Sequence, residues 1–220
     1  LELVHGHAPE ALVDVHNNTG RNPAYAVGLE PTPEALALTA LFGSRFVRSH
    51  LVLGALLEGV HGFPAVTIEV GKSGSDEANR VARAGIERFL AAEDPFSGGG
   101  TGVRVLEMPM RARLAPGVRL VMAQRPDPQA GLTMPDDLDR HNFEVVEPGS
   151  RIGWVRGDAM PLALVDEEGH DRAGEYFALQ GDELVVRRPF TPIMITVDAA
   201  VAASDCLFYV VHDVAVSPDA

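Results

Sequence analysis

Two apolar segments of this chain each carry a reactive side chain at or near their C-terminal end. Val13-Asp14-Val15-His16-Asn17-Asn18 delivers a histidine, and Val66-Thr67-Ile68-Glu69-Val70-Gly71 delivers a carboxylate. A neutral imidazole can bind zinc, and a carboxylate beside it can take the proton of a zinc-bound water. Glu69 sits between Ile68 and Val70, in a segment that reads as a buried strand, where an unpaired carboxylate is costly and usually has a task. Asn17, Asn18 and Thr19 offer short polar side chains for a second shell around His16. One histidine does not complete a catalytic zinc site, which takes three protein ligands. Without further ligands, His16 and Glu69 read equally as a hydrogen-bonded structural histidine and a carboxylate at a strand end.

Other residues of the chain could supply the same chemistry. His7-Ala8-Pro9-Glu10 has a His-x-x-Glu spacing, but its proline and alanine-rich context read as a surface helix end. His5, His50, His61, His141, His170 and His212 show no mutual spacing that makes a site. Arg21, in the loop after His16, is the best candidate for gripping a substrate carboxylate, because a guanidinium pairs with carboxylate through two parallel hydrogen bonds. Asn17 is a second candidate substrate contact. Lys72 could face the same edge, and Arg187-Arg188-Pro189-Phe190 reads as a turn at a strand end.

The elements that must position these residues follow α/β grammar in the first part of the chain. Residues 1–12 read as a helix end, 12–16 as a strand, and Asn17–Pro23 as a turn-rich loop. Ala24–Gly28 reads as a strand and Pro33–Ser44 as a helix opened by proline. A weaker apolar stretch covers Phe46–Val60, and Pro64 introduces the strand Ala65–Val70. Ser75 reads as an N-cap with Asp76 and Glu77 in the first turn of a helix running to about Ala92. Its apolar stripe is expected at Val81, Ala84, Ile86, Phe89 and Leu90. The Pro/Gly-rich run Asp94–Gly100 is the best linker, giving an α/β unit over 1–96 and a β-rich unit over 97–220, whose last strands could return to the first. In the second unit, short strands are expected at Val103–Leu106, Val118–Met122, Phe143–Val146, Arg151–Val155, Leu162–Val165, Tyr176–Leu179, Leu184–Arg187, Ile193–Val197 and Leu207–Val211. Residues Arg125–His141 read as an inserted loop.

Composition narrows the partners. Thirty-one acidic against eighteen basic residues give a net charge of −13, which argues against nucleic acid or an anionic membrane surface, both of which need a basic face. With 46% apolar residues the chain can build a real core. The single Cys206 excludes an internal disulfide framework and fits a reducing compartment, read here as the cytoplasm. No apolar run reaches the length of a membrane-spanning helix. The sequence starts at Leu1 inside a helix-like phrase, with no Met and no signal-peptide pattern, and so reads as part of something longer.

The run Val13-Asp14-Val15-His16-Asn17-Asn18-Thr19 resembles the Asp-Leu-His-Asn-Thr-Thr segment of the aspartoacylase and succinylglutamate desuccinylase family, within the zinc-carboxypeptidase clan. Ile68-Glu69-Val70-Gly71 is similar to that family's Ile-Glu-Val-Gly strand. Phe143-Glu144, Pro148-Gly149, Asp166-Glu167 and Arg188-Pro189-Phe190 are similar to its C-terminal domain. The resemblance covers nearly the whole chain. It implies part of a zinc-carboxypeptidase-like α/β/α sheet followed by a smaller all-β domain, and a metallopeptidase-like hydrolase that cleaves the amide of a small N-acyl amino acid. His16 matches the family's third zinc ligand, and Glu69 the carboxylate that activates the zinc-bound water. The family takes its first two ligands from a His-x-x-Glu motif well upstream of the aligned histidine. Only fifteen residues precede His16, and His7 and Glu10 lie too close to be that pair. The aromatic and arginine side chains that aspartoacylase uses shortly before the Glu69 position are unmatched, with Ala55 and Gly59 there. The chain is therefore expected to be the C-terminal two-thirds of such a deacylase. The alternatives are a metal-free binding module that keeps the fold, and a homo-oligomer in which another chain donates the missing ligands.

Overall fold

In the computed structural model the described residues are 6, 7, 9–51 and 56–213. The helix expected over residues 1–12 falls largely outside them. The chain divides into two units. The first holds the residues up to Asn18, Pro23–Met108 and Asp213, and the second holds Thr19–Asn22 and Pro109–His212. The boundary was expected after Phe96; the glycine-rich run there is a series of turns, and by contacts the division falls at Met108/Pro109, inside a continuous strand. Contact density sets that division, and a change in composition does not.

In the first unit β1 (Leu12–Asn18), β2 (Tyr25–Gly28), β3 (Arg45–Ser49), β4 (Ala65–Lys72) and the start of β5 (Arg104–Leu114) lie in the order β1-β4-β2-β3-β5. β1 and β4 are parallel, β2 is antiparallel to β4, and β3 is parallel to both β2 and β5. Both site strands run two residues beyond their expected ends, to Asn18 and Lys72. The stretch after Phe46 resolves into β3 and a 3-10 turn at Leu56–Gly59.

Helix α1 (Pro33–Ala40) begins where Thr32 Oγ1 accepts from the Ala35 amide at 3.2 Å, and stops four residues before the expected Ser44. Helix α2 (Asp76–Ala91) begins where Ser75 Oγ accepts from the Ala78 amide at 3.1 Å, with two carboxylates in its first turn facing the positive end of the helix dipole. These helices bury one face of the sheet: Val13, Val15, Val66, Ile68 and Phe46 pack with Leu38, Phe42, Ala78, Val81 and Phe89. The expected stripe on α2 is partly corrected. Ile86 and Leu90 are 41% and 77% exposed, and the inward face runs through Ala78, Val81, Ala82, Gly85 and Phe89. A Cβ on Gly85 would stand 2.0 Å from Phe42 Cδ1, so only glycine permits this approach.

The second unit contains the rest of β5, then β6 (Leu120–Met122), β7 (Leu132–Met134), β8 (Arg151–Val155), β9 (Leu162–Asp166), α3 (Ala173–Tyr176), β10 (Phe177–Gln180), β11 (Glu183–Val186), β12 (Thr191–Ile193), α4 (Ala199–Ser204) and β13 (Phe208–Asp213). Five strands form a sheet in the order β10-β11-β8-β7-β6, β9 pairs antiparallel with β5, and β12 with β13. The core centres on Phe177, Phe190 and Phe208, with Phe190 stacked on Phe208 at 5.7 Å and edge-on to Phe177 at 5.5 Å.

Two short helices, α3 and α4, interrupt its strands. Two expectations for this unit are corrected. Arg125–His141 is not one inserted loop; it holds β7 and a 3-10 turn at Leu138–His141. Phe143–Val146 is not a strand, because Phe143 takes a positive φ of 64° and only Val146 makes a bridge, to Phe190. Among the described residues no helix is long and apolar enough to cross a membrane.

Candidate metal-hydrolase site

The parallel pairing of β1 with β4 sets His16 opposite Glu69 and Asp14 opposite Thr67. Side chains alternate along a strand, so these four share one face, and the apolar residues between them point to the helix-covered face. The register slips between His16 and Asn18, so that Asn18 stands opposite Lys72. The Asn18 amide Nδ2 donates to Glu69 Oε2 at 3.4 Å. On its other side Glu69 faces Tyr25 of β2.

Glu69 is only 6% exposed. Burial pushes its carboxyl above the usual carboxylate range, opposed by the charge of His16 and the Asn18 hydrogen bond, while the nearby Asp14 adds to the rise. His16 is exposed, and its Nε2 stands 3.0 Å from Asp14 Oδ2. Thr67, one step along the shared face from Glu69, buries a hydroxyl with no hydrogen-bond partner among the described residues.

As a zinc site this donor set fits one corner. His16 offers an imidazole whose Nε2 faces a carboxylate, which leaves Nδ1 for a metal, and Glu69 is its register partner. No second and third ligand join them: among the described residues the single group of three ligand-type side chains is Asp166, Glu168 and His170, in the second unit. That group belongs to the turn after β9, where Asp166 accepts from Arg172 Nε at 2.9 Å and from the His170 amide at 2.8 Å. His7 and Glu10 are both exposed.

Asn17 is exposed and falls at the register slip, so the amide that reaches Glu69 is that of Asn18. Arg21 belongs to the second unit and not to that of His16 and Glu69. Its backbone is held there: its amide donates to Asp139 Oδ2 at 3.0 Å, and its carbonyl accepts from Asn142 Nδ2 at 2.7 Å. Asn142 Oδ1 in turn accepts from the Ile195 amide at 2.9 Å, and Thr19 and Thr196 share a hydroxyl hydrogen bond of 2.8 Å. Next to Arg21, a Cβ on Gly20 would lie 1.9 Å from the Ile195 carbonyl oxygen, so the clamp requires glycine. The Arg21 guanidinium is exposed and makes no ion pair among the described residues.

Sequence reasoning missed Asp14 as a partner of His16, although their separation by two residues on a strand was a usable signal. It also missed Asp139 and Asn142, for which no local signal exists.

No protein-family model matches the sequence, and no curated protein does. Solved structures do share the fold. Against the crystal structure of a succinylglutamate desuccinylase/aspartoacylase from Rhodobacter sphaeroides the TM-score is 0.51 at 18% identity, covering 93% of this chain and 58% of that one. Against a succinylglutamate desuccinylase from Vibrio parahaemolyticus it is 0.50 at 11% identity, covering 92% of this chain and 53% of that one. The chain thus spans a little over half the length of the structures it matches. With its mixed sheet, its β-rich second unit and this agreement over nine-tenths of its length, the chain has the fold of the aspartoacylase and succinylglutamate desuccinylase structures.

Proposed function

We propose that this chain carries one metal ligand and the general base of a zinc-dependent amidohydrolase that cleaves N-acyl amino acids. The observation that carries the reading is the register pairing of His16 with the buried Glu69 on one face of two adjacent parallel strands. His16 is the ligand that the described residues supply, and no described group of three ligand-type side chains includes it. Zinc held there would polarise the scissile amide carbonyl and make a bound water more acidic.

Glu69 accepts the proton of the attacking water and passes it to the leaving nitrogen. A carboxyl raised above the usual carboxylate range suits both halves of that transfer. The Asn18 amide holds Glu69 Oε2 and orients the carboxylate. Asn17, on the same strand as His16, offers a further polar contact to the substrate. The fold shared with desuccinylase and aspartoacylase structures supports an acyl-amide substrate.

The test is a zinc titration against a chromogenic chelator, on the wild type, His16→Ala and Glu69→Gln. With one ligand the wild type is expected to bind zinc weakly, His16→Ala more weakly still, and Glu69→Gln as the wild type does. Equal zinc affinity in wild type and His16→Ala overturns the proposal. A second reading, a metal-free binding module, is favoured by the absence, among the described residues, of any group of three ligand-type side chains that includes His16. It predicts no zinc in any of the three proteins and ligand affinity indifferent to His16→Ala and Glu69→Ala. If a second copy donates the missing ligands, zinc affinity rises with protein concentration.

A further inference from the structure

We infer that a pocket of about 450 Å³ beside Trp154, in the second unit, binds a zwitterionic α-amino acid with an apolar side chain. The inference does not rest on the amide-hydrolysis reading, and none of the pocket's walls has a role in that reaction.

The walls are fixed before a ligand arrives. Trp154 lies on β8, flanked by β7 and β11, with Thr133 as its register partner on one side and Glu183 on the other. The Arg151 guanidinium stands 4.4 Å from the centre of the indole and pairs with Glu183 at 2.7 Å, which holds the ring from outside the pocket. The loop before β7 adds apolar wall through Pro126 and Pro128. It is tied down where the Asp127 amide donates to the buried Thr133 hydroxyl at 3.0 Å. A half-buried indole beside two proline rings is an apolar platform that suits a small hydrophobic side chain.

The charges around this platform define the ligand class. Asp127, Asp182 and Arg156 all line the pocket, and none of the three makes an ion pair among the described residues. Asp127 accepts from the Gln129 amide through Oδ1 alone. Asp182 is fixed by its backbone carbonyl, which accepts from the Val155 amide at 2.7 Å, so its carboxylate is left over. Arg156 donates through Nη1 to the Pro128 carbonyl and keeps Nε and Nη2 in hand. Groups of opposite sign that line one pocket without pairing to each other suit a ligand that carries both signs. Its ammonium meets the carboxylates, and its carboxylate meets the guanidinium fork. A plain amine would leave Arg156 unanswered, and a plain acid would meet two like charges. The volume is in the range of small-molecule sites.

Trp154 is the only tryptophan of the chain, so its emission reports this pocket directly. The probe is L-phenylalanine, titrated into the 220-residue protein with calorimetry alongside. A saturable change is expected, with a dissociation constant of about 1 mM or tighter, as ordinary efficiency gives for a ligand of about a dozen heavy atoms. Phenethylamine and 3-phenylpropionate keep the ring and one charge each, and should bind at least about tenfold more weakly. Asp182→Asn and Arg156→Gln should each weaken L-phenylalanine about tenfold with an unchanged urea midpoint, because both side chains are exposed. His16→Ala should titrate as the wild type does, which separates this pocket from a product bound near Glu69.

No saturation by about 10 mM, in fluorescence or heat, overturns the inference. Equal binding of phenethylamine overturns it in favour of a cation site, and equal binding of 3-phenylpropionate in favour of an anion site. An affinity that ignores both Asp182→Asn and Arg156→Gln, or that is lost in His16→Ala, places the ligand elsewhere and overturns it as well.

Discussion

Replacing Asn142 with alanine tests how the segment directly after the site strand is held. Asn142 is 6% exposed and bridges two backbones, donating to the Arg21 carbonyl at 2.7 Å and accepting from the Ile195 amide at 2.9 Å. Ile195 is buried, so its N–H loses its partner with no water to replace it, at a cost of about 1–3 kcal/mol. Arg21 is exposed, so water can reach its carbonyl and only the net value of a hydrogen bond is lost, about 0.5–1.5 kcal/mol. The expected destabilisation is therefore about 1.5–4.5 kcal/mol. The assay is equilibrium urea unfolding followed by the fluorescence of Trp154, the single tryptophan, which lies in the same unit as Asn142. The midpoint should fall with an unchanged slope, and hydrogen exchange at the Ile195 amide should accelerate. A loss below about 0.5 kcal/mol, the range of an ordinary surface substitution, would refute the claim that this side chain clamps Thr19–Asn22.

Three further outcomes are expected. Because burial raises the Glu69 carboxyl in the folded state, the fold binds that proton more tightly than the unfolded chain. The associated stability is complete below the unfolded value of about 4.3 and is lost as pH rises through the raised folded value. Glu69→Gln should therefore flatten the pH–stability profile and gain most over the wild type at neutral pH; parallel profiles in thermal melts would contradict this. Gly85→Ala drives a Cβ into Phe42 and should cost about 1–3 kcal/mol in urea unfolding, with an unaffected midpoint the opposing result. Leu90→Gln should stay within about 0.5 kcal/mol, since Leu90 faces solvent, and a larger loss would return Leu90 to the packed stripe.

Much of the site was legible because it is local. The apolar alternation around His16 and Glu69 marks both strands, but not their pairing, since β2 and β3 lie between them in sequence. Ser75, Asp76 and Glu77 mark the start of α2 by capping chemistry that acts over three residues. What escaped depends on distance or on small side chains. Asp139 and Asn142 meet Arg21 across 118 and 121 positions, and nothing within a helical or strand period announces such a contact. β7 is three residues, Leu132–Met134, inside a polar, proline-punctuated stretch. The buried face of α2 is written partly in Ala78, Ala82 and Gly85, whose weak hydropathy lets the larger Ile86 and Leu90 dominate the pattern. The unit boundary escaped because β5 continues through it.

The measurement that tests the central claim most directly is anomalous diffraction at the zinc edge from crystals grown with zinc. The account predicts a zinc peak beside the His16 ring, on the strand face that carries Glu69. No peak beside His16, or a peak confined to Asp166, Glu168 and His170, would contradict it.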